Sequence, residues 1–244
     1  MPKVDLASAS IRELNLSLHQ LPSNNAKTPH EVGRREPSAD NGEPWEIWNP
    51  RGAHAVAVGV HAPIRIAIHG SVGYYCGGMN QEAEITVHGS AGPGVAENMM
   101  SGRVTVTGDA SQYAGATGRG GLLLIKGNAS SRCGISIKGI DIVVEGSIGH
   151  MSAFMAQSGN LVVCGDAGDA LGDSIYEARI FVKGSVKSLG ADCVEKEMRA
   201  EHLALLQALL DRAGCESASA AKFRRYGSAR TLYNFSVDHA EQYG

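Results

Sequence analysis

The sequence predicts an all-β fold, a parallel β-helix (a β-solenoid) of about seven 19-residue coils, with an N-terminal arm and a C-terminal helix plus tail. Three observations predict it. Glycine recurs every 19 residues, aliphatic residues alternate before each of these glycines, and 26 of the 31 glycines lie between residues 51 and 192. The expected units are therefore residues 1–50 for a helix and irregular arm, 51–192 for the solenoid, and 193–244 for a helix and an aromatic-basic tail.

The repeat is clearest at its glycine position. Seven glycines are in register: Gly70, Gly89, Gly108, Gly127, Gly146, Gly165 and Gly184. The residues two and four positions earlier are always Ile, Leu or Val, which is the period-2 pattern of a short strand. One coil cannot bury its apolar face alone, so stacked coils are expected to share a continuous aliphatic column.

Other positions of the repeat indicate where each coil turns. The residue after the glycine is always Ser, Asp or Asn, which is typical of a turn, and the seventh residue after it is always Gly or Ala. We interpret the register glycines as corners that allow a positive φ. Residues 54–59 predict a partial first coil that is out of register with the rest.

The N-terminal segment predicts a short helix followed by an arm. Ser10 and Glu13 form a capping-box pattern, and apolar residues follow at helical spacing: Ile11, Leu14, Leu18 and Leu21. Residues 22–44 are polar and contain four prolines, which indicates an irregular arm. Trp45 and Trp48 predict a hydrophobic plug at the start of the solenoid.

The C-terminal segment predicts a helix that ends at Gly214. Its apolar stripe contains Val194, Met198, Leu205, Leu206, Leu209 and Leu210. Residues 223–235 combine aromatic and cationic side chains, and such a tail could fold back on the rod or reach a partner. We expect the two flanking segments to cover the ends of the solenoid, because open ends expose unpaired backbone groups.

Composition excludes several classes of function. With 22 Lys and Arg against 25 Asp and Glu, the net charge of -3 gives no electrostatic reason to expect a nucleic acid or a membrane surface as partner. No apolar run reaches the length of a membrane span, and no signal-peptide region follows Met1, so we expect a cytoplasmic protein. Five cysteines without a CxxC pair argue against a disulfide framework and a self-contained zinc or iron–sulfur site, and they predict reduced thiols.

No residue set predicts catalysis. The glycine-rich run 115–121 precedes a strand rather than a helix, so we interpret it as a corner of the third coil and not as a phosphate loop. His69 and His88 are expected to stack on the outer face, but the rest of that ladder is no coherent ligand set. His150 with Ser152 lacks an orienting acid. We therefore predict no catalytic, cofactor-binding or metal-binding residue in this chain.

Bulky interruptions at residues 97–100 and 150–157 stand where other coils have small residues. Their methionines could contact a partner or fill the solenoid interior, and the sequence leaves both open. We predict a partner interface from these segments, two arginines and the tail. Its residues are Glu97, Asn98, Met99, Met100, Arg119, Arg132, His150, Phe154, Gln157, Arg225, Tyr226, Arg230 and Tyr233.

The repeat also carries a family resemblance. Residues 70–78 and their successors resemble the GXGXG repeat in the C-terminal β-helix domain of the glutamate synthase large subunit, which implies a right-handed β-helix. Residues 49–54, 94–102, 131–136 and 226–230 resemble a stand-alone version of that domain, the B subunit of N-methylglutamate synthase (methylamine–glutamate N-methyltransferase). This resemblance runs nearly from end to end.

The resemblance implies a subunit of a hetero-oligomeric enzyme that makes N-methylglutamate and ammonia from glutamate and methylamine. In that family a glutamine-amidotransferase-like subunit and an FMN-binding synthase subunit accompany the β-helix subunit. The resemblance implies FMN, and allows an iron–sulfur cluster, in the synthase subunit and no cofactor in this chain. The implied role is a non-catalytic scaffold that braces the other two, with the isolated chain inactive.

Two alternatives stay open. The same module could serve another glutamate-synthase-type complex with a different substrate. An independent β-helix enzyme is the other, although the length of the repeat is not a multiple of the unit that hexapeptide acyltransferases need. Nor does an outer face carry the clusters of charged residues that polysaccharide lyases need.

Overall fold

The computed structural model describes residues 2–22, 44–215 and 218–230. The helices are α1 (Ile11–His19) and α2 (Ala200–Ala213), with a 3₁₀ turn at Ala220–Lys222. The strands are β1 (Lys3–Asp5), β2 (Trp45–Trp48), β3 (Arg65–His69), β4 (Glu84–Val87), β5 (Arg103–Val106), β6 (Leu122–Ile125), β7 (Lys138–Val144), β8 (Ser158–Val163), β9 (Arg179–Val182), β10 (Cys193–Lys196) and β11 (Arg224–Ser228). The irregular arm predicted over residues 22–44 lies almost wholly outside the described residues.

The strands confirm the predicted parallel β-solenoid of about seven 19-residue coils. From β3 to β9 each strand pairs in parallel with the next, and partner residues are 19 apart, as in Ile85 with Val104. A second ladder of parallel bridges follows the register glycines, from Val72 through Ala91 to Val186. Every predicted inward aliphatic residue two or four positions before a register glycine is buried. The aliphatic column is therefore the core.

The first coil is out of register, as expected. Ala55, Ala57 and Gly59 have positive φ, and Tyr75, Gly77 and Met79 share that backbone conformation in the next coil. The step between the two sets is one residue longer than the regular repeat. The amide of Gly59 donates to the carbonyl of Gly78 at 2.8 Å. The extra residue is absorbed before β3, and the regular spacing begins there.

The register glycines are required for a different reason from the one predicted. Six of the seven lack a positive φ, and only Gly70 has one, at 134°. Each of those six lies against the backbone of the preceding coil: a Cβ on Gly89 would come within 2.7 Å of the amide nitrogen of Ser71. Close stacking of coils, not backbone conformation, excludes a side chain at this position.

In most coils, positive φ occurs instead at the fifth, seventh and ninth residues after the register glycine. In one coil these are Arg132, Gly134 and Ser136, with φ of 58°, 69° and 52°. Their amides donate alternately to the next coil and to the previous one, with N···O distances of 2.8–2.9 Å. This alternation satisfies backbone groups on both sides of each coil without a strand.

The C-terminal segment covers the solenoid in an unexpected way. β11 inserts between β9 and β10 and pairs antiparallel with both, which ends the parallel ladder. α2 lies on the outer face of the sheet, where Leu206 and Leu210 share one buried apolar cluster with Leu124 and Phe181. Gly214 ends α2 in the left-handed conformation, as predicted. Val194 and Met198 were wrongly assigned to the helix: Val194 lies exposed in β10, and Met198 precedes Arg199, the N-cap of α2.

The N-terminal segment extends the sheet in parallel, with β1 on β2 and β2 on β3. The capping box of Ser10 and Glu13 is present at the start of α1, as predicted. The tryptophan plug is wrong in part: Ile47 is the fully buried residue of β2, while Trp48 points to the exposed outer face. Period-2 alternation puts Ile47 inward and its neighbours outward.

Candidate functional site

One side of the solenoid is formed by the fourth to ninth residues after each of the first six register glycines, and we call it the turn face (74–79, 93–98, 112–117, 131–136, 150–155 and 169–174). Large apolar side chains are exposed there. Tyr74 is 51% exposed, Met79 44% and Met155 39%. Because such exposure of large apolar groups tends to mark interfaces, the turn face is the candidate partner surface.

The N-terminal part of the turn face is aromatic. The rings of His54 and Tyr74 lie 4.4 Å apart, and His54 Nδ1 accepts a hydrogen bond from the amide of Tyr74 at 3.1 Å. A residue of the out-of-register coil thus contacts both the backbone and the ring of Tyr74. Sequence reasoning missed this pair, because the separation of His54 and Tyr74 along the chain is one residue longer than the repeat.

Residues 97–100 divide between interior and surface. Met99 is fully buried in the aliphatic core, so its side chain does not belong to an exposed interface and the space-filling interpretation applies to it. Asn98 accepts a hydrogen bond from Thr117 Oγ1 at 2.6 Å and donates to Tyr75 Oη at 3.4 Å. Glu97 and Met100 are half-buried, and burial raises the pKa of the Glu97 carboxyl.

Arg132 is held on the turn face by its neighbours in adjacent coils. Its guanidinium lies 6.0 Å from the ring centroid of Tyr113, a cation–π distance, and 3.9 Å from the sulfur of Met151. All three residues occupy the fifth position of their coils and have positive φ. A cation flanked by an aromatic ring and a methionine is thereby presented at mid-length of the solenoid.

The other predicted residues of the central coils lie on or beside the turn face. His150 is exposed and Phe154 is half-buried, and both belong to it. Arg119 and Gln157 are exposed at the eleventh position of their coils, just past the turn face. They remain candidates for a partner contact.

The predicted tail residues fall in three places. Arg225 and Tyr226 are 7% and 2% exposed, because β11 is inserted into the end of the sheet. Arg225 Nε donates to the carbonyl of Glu197 at 3.1 Å, so this residue holds the C-terminal segment together. The prediction that Arg225 and Tyr226 lie on an exposed interface is therefore wrong, because both side chains are buried. Arg230 is exposed and paired with Asp192, and Tyr233 lies outside the described residues.

The outer face of the sheet carries a stack of rings that the sequence predicted in part. His69 and His88 stack with centroids 5.2 Å apart, as expected, and Trp48 extends the stack with its centroid 3.9 Å from that of His69. Glu46 pairs with His69 Nε2. The registers of β2 on β3 and β3 on β4 place these residues side by side.

The described residues contain no cluster of three or more His, Cys, Asp or Glu side chains that could hold a metal ion. The glycine-rich run 115–121 forms a solenoid turn that leads into β6. Among the described residues, neither helix has the length and apolar character that a membrane crossing needs.

Comparison with known proteins gives a close relative. The chain is 62% identical over 243 residues to "Protein GlxC" of Rhizobium meliloti (strain 1021), and the match covers 100% of both chains. No family model matches the sequence.

Proposed function

We propose, from the premise that the chain belongs to the family of protein GlxC, that it is a non-catalytic scaffold subunit of a glutamate-synthase-like complex. Its partners are an amidotransferase-like subunit and an FMN-binding synthase subunit. The reaction of the complex is the synthesis of N-methylglutamate and ammonia from glutamate and methylamine. The resemblance of the glycine repeat to the β-helix domain of glutamate synthase supports this reaction class.

The observation that carries the scaffold role is the exposed turn face on a rigid rod. Tyr74, Met79 and Met155 present apolar area to solvent, while the backbone beneath them is hydrogen-bonded to the coils on either side. Such a surface can bind a partner without first being ordered, so little conformational entropy is lost on association. Aromatic and methionine side chains with an arginine, here Arg132, are the residue types enriched at protein interfaces.

The rod also has the length that a brace needs. Seven coils at about 4.8 Å spacing extend over roughly 30 Å, which separates two docking areas on one molecule. The aromatic part of the turn face lies toward the N-terminal end and the methionine part, at Met151 and Met155, toward the other. Each of the two proposed partners can therefore have its own area.

Purification of the tagged chain from its native source, with mass spectrometry and a visible spectrum, tests the proposal. We expect an amidotransferase-like subunit and a yellow, FMN-bearing subunit to copurify, and the complex to consume glutamate and methylamine. A yellow complex that is inactive with methylamine but active with another amine would retain the scaffold role and change the substrate. A colourless chain recovered alone, or one with activity of its own, would refute the proposal.

A matched pair of variants tests the surface. Met79→Glu places a negative charge on the turn face, whereas Thr107→Glu places the same charge at an exposed site on the outer face of the sheet. We expect the first to weaken copurification of a partner and the second to leave it unchanged. Equal retention of both partners by the two variants would exclude the turn face around Met79 as a docking area.

A further inference from the structure

Two cysteines that are far apart in the sequence meet on the outer face of the sheet. Cys164 directly follows β8, and Cys215 directly follows Gly214 at the end of α2. Cys215 Sγ donates to Glu145 Oε1 at 3.7 Å, and the 19-residue register of β8 on β7 places Glu145 and Cys164 side by side in adjacent coils, so the two thiols come close together. We call Cys164 and Cys215 the thiol pair. The proposed scaffold role makes no use of it.

The structure holds each member of the pair in place. The amide of Cys215 donates to the carbonyl of Leu210 at 2.9 Å, in the hydrogen-bonded turn that closes α2. The same helix end is tied to the sheet by Arg103, which donates to the carbonyl of Arg212 at 2.9 Å, and by an ion pair between Arg212 and Asp141 at 2.7 Å. Cys164 is fixed by the strand before it.

The two thiols differ in the way that a reactive pair requires. The contact with Cys215 lowers the pKa of Cys164 and Lys183 adds to the lowering, while burial and the Glu145 carboxylate oppose it. The same contact, together with burial and the Glu145 carboxylate, raises the pKa of Cys215. Cys164 is half-buried, whereas Cys215 is buried. A half-buried thiol with a lowered pKa beside a buried thiol with a raised one is the arrangement of an attacking and a resolving cysteine.

The remaining cysteines are poor competitors. Cys76 and Cys133 are buried in the core, and burial raises the pKa of each to about 12. Burial also raises the pKa of Cys193 to about 11. Because the thiolate is the reactive form, oxidation is directed to Cys164.

We propose that Cys164 and Cys215 are a peroxide-sensitive pair that forms a reversible disulfide between the end of α2 and the solenoid. The Cys164 thiolate attacks a peroxide oxygen, the O–O bond breaks, and hydroxide leaves and is protonated to water. The Cys215 sulfur then attacks the sulfur of the resulting sulfenic acid and releases a second water with the thiol proton. Two thiols lose two electrons to one peroxide, and a dithiol reductant restores them.

The disulfide would change how α2 is attached. In the reduced chain α2 lies on the sheet through apolar contacts and the bonds of Arg103 and Arg212. A covalent link at Cys215 closes a loop through β9, β10 and α2, which restricts the unfolded chain. Oxidation is therefore expected to raise the midpoint of thermal unfolding.

The test is hydrogen peroxide added to the reduced, full-length chain, followed by thiol counting and a non-reducing tryptic digest. We expect five free thiols to fall to three, and residues 139–179 to be linked to residues 213–222, the two tryptic peptides that contain Cys164 and Cys215. Dithiothreitol should restore all five thiols and the original unfolding midpoint. Cys215→Ser should leave a sulfenic acid on Cys164 that dimedone traps, and Cys193→Ser should form the disulfide as the wild type does.

Several results would overturn the proposal without depending on a variant. Five thiols after peroxide treatment would do so, as would oxidation at Cys193 as fast as at Cys164. A disulfide between two chains, visible as a dimer on a non-reducing gel, would equally contradict an internal pair.

Discussion

Replacement of Gly127 by alanine is the sharpest test of why the repeat needs glycine. A Cβ at this position would lie 2.7 Å from the carbonyl oxygen of Gly108 and 2.8 Å from its carbonyl carbon, and it would also meet the Asp109 carboxylate. Ordinary van der Waals contact begins near 3.4 Å, so the added atom is about 0.7 Å too close to backbone that no rotamer change can move.

The clash can be relieved only if neighbouring coils separate. Separation lengthens the hydrogen bond from the amide of Gly127 to the carbonyl of Gly108, now 3.1 Å, and the one that Gly146 donates to Gly127, now 3.0 Å. Overpacking of this kind costs about 1–3 kcal/mol, and a weakened hydrogen bond adds up to about 1 kcal/mol. We expect Gly127→Ala to lower the free energy of unfolding by about 2–3 kcal/mol.

Gly134→Ala is the matched control, because it makes the same chemical change seven residues later. Gly134 has a positive φ of 69°, but its nearest neighbour to an added Cβ lies at 3.5 Å. Ala96 and Ala153 already occupy the equivalent position in other coils with φ of 56° and 57°. Only the conformational strain of alanine applies there, about 1 kcal/mol.

Urea unfolding followed by far-UV circular dichroism measures both variants. Gly127→Ala should be the less stable of the two variants, with an unchanged dependence of the unfolding free energy on urea concentration. If Gly134→Ala is destabilised as much or more, backbone conformation rather than coil stacking is the reason for the repeat, and our interpretation is refuted.

Three further predictions concern the ladders, the helix and a buried acid. Asn128→Ala removes the side-chain oxygen that accepts the amide of Ser147 at 2.9 Å, so urea unfolding should show a loss of about 1 kcal/mol, with Ser130→Ala as a near-neutral control. Phe181→Ala empties a fully buried site under α2 and should cost about 3–5 kcal/mol in the same assay, and a loss below about 1 kcal/mol would contradict the packing described. Glu97→Gln should stabilise the chain at pH 8 and not near pH 4. Burial raises the pKa of Glu97 above its ordinary 4.5, so the ionised carboxylate destabilises the folded chain as the pH rises. Thermal melts at the two pH values check this, and an equal change in the unfolding midpoint at both would contradict it.

The solenoid could be predicted from the sequence because its rules are local. A strand of period 2, a fixed step of 19 residues and small residues at two positions determine which side chains point inward, and Ile85 or Val104 needs no distant information to be placed. The helix boundaries at Ser10 and Gly214 were equally predictable from caps. The histidine stack followed from the step alone.

What the sequence could not show directly was how the ends are finished. β11 pairs antiparallel with β9 and β10, and no local pattern specifies a strand's partner. The position of α2 did leave a signal in the sequence: the outward residue three positions before the register glycine is polar or small in early coils but apolar in Leu124, Val143, Val162 and Phe181. An apolar outward ladder requires a cover, and α2 supplies it. Arg225 and Tyr226 were misplaced for the same reason, since their burial depends on that distant pairing.

The antiparallel β11 also fixes the number of coils in the solenoid. A further parallel coil cannot be added beyond β9, because the hydrogen bonds at that edge are already taken by a strand running the other way. Within the solenoid, a change of size that keeps the register adds or removes whole 19-residue units, in steps of about 4.8 Å. If partners dock at separate positions along the solenoid, the distance between them can therefore change only in steps of one coil. Deletion of one internal coil would shorten that distance by one such step.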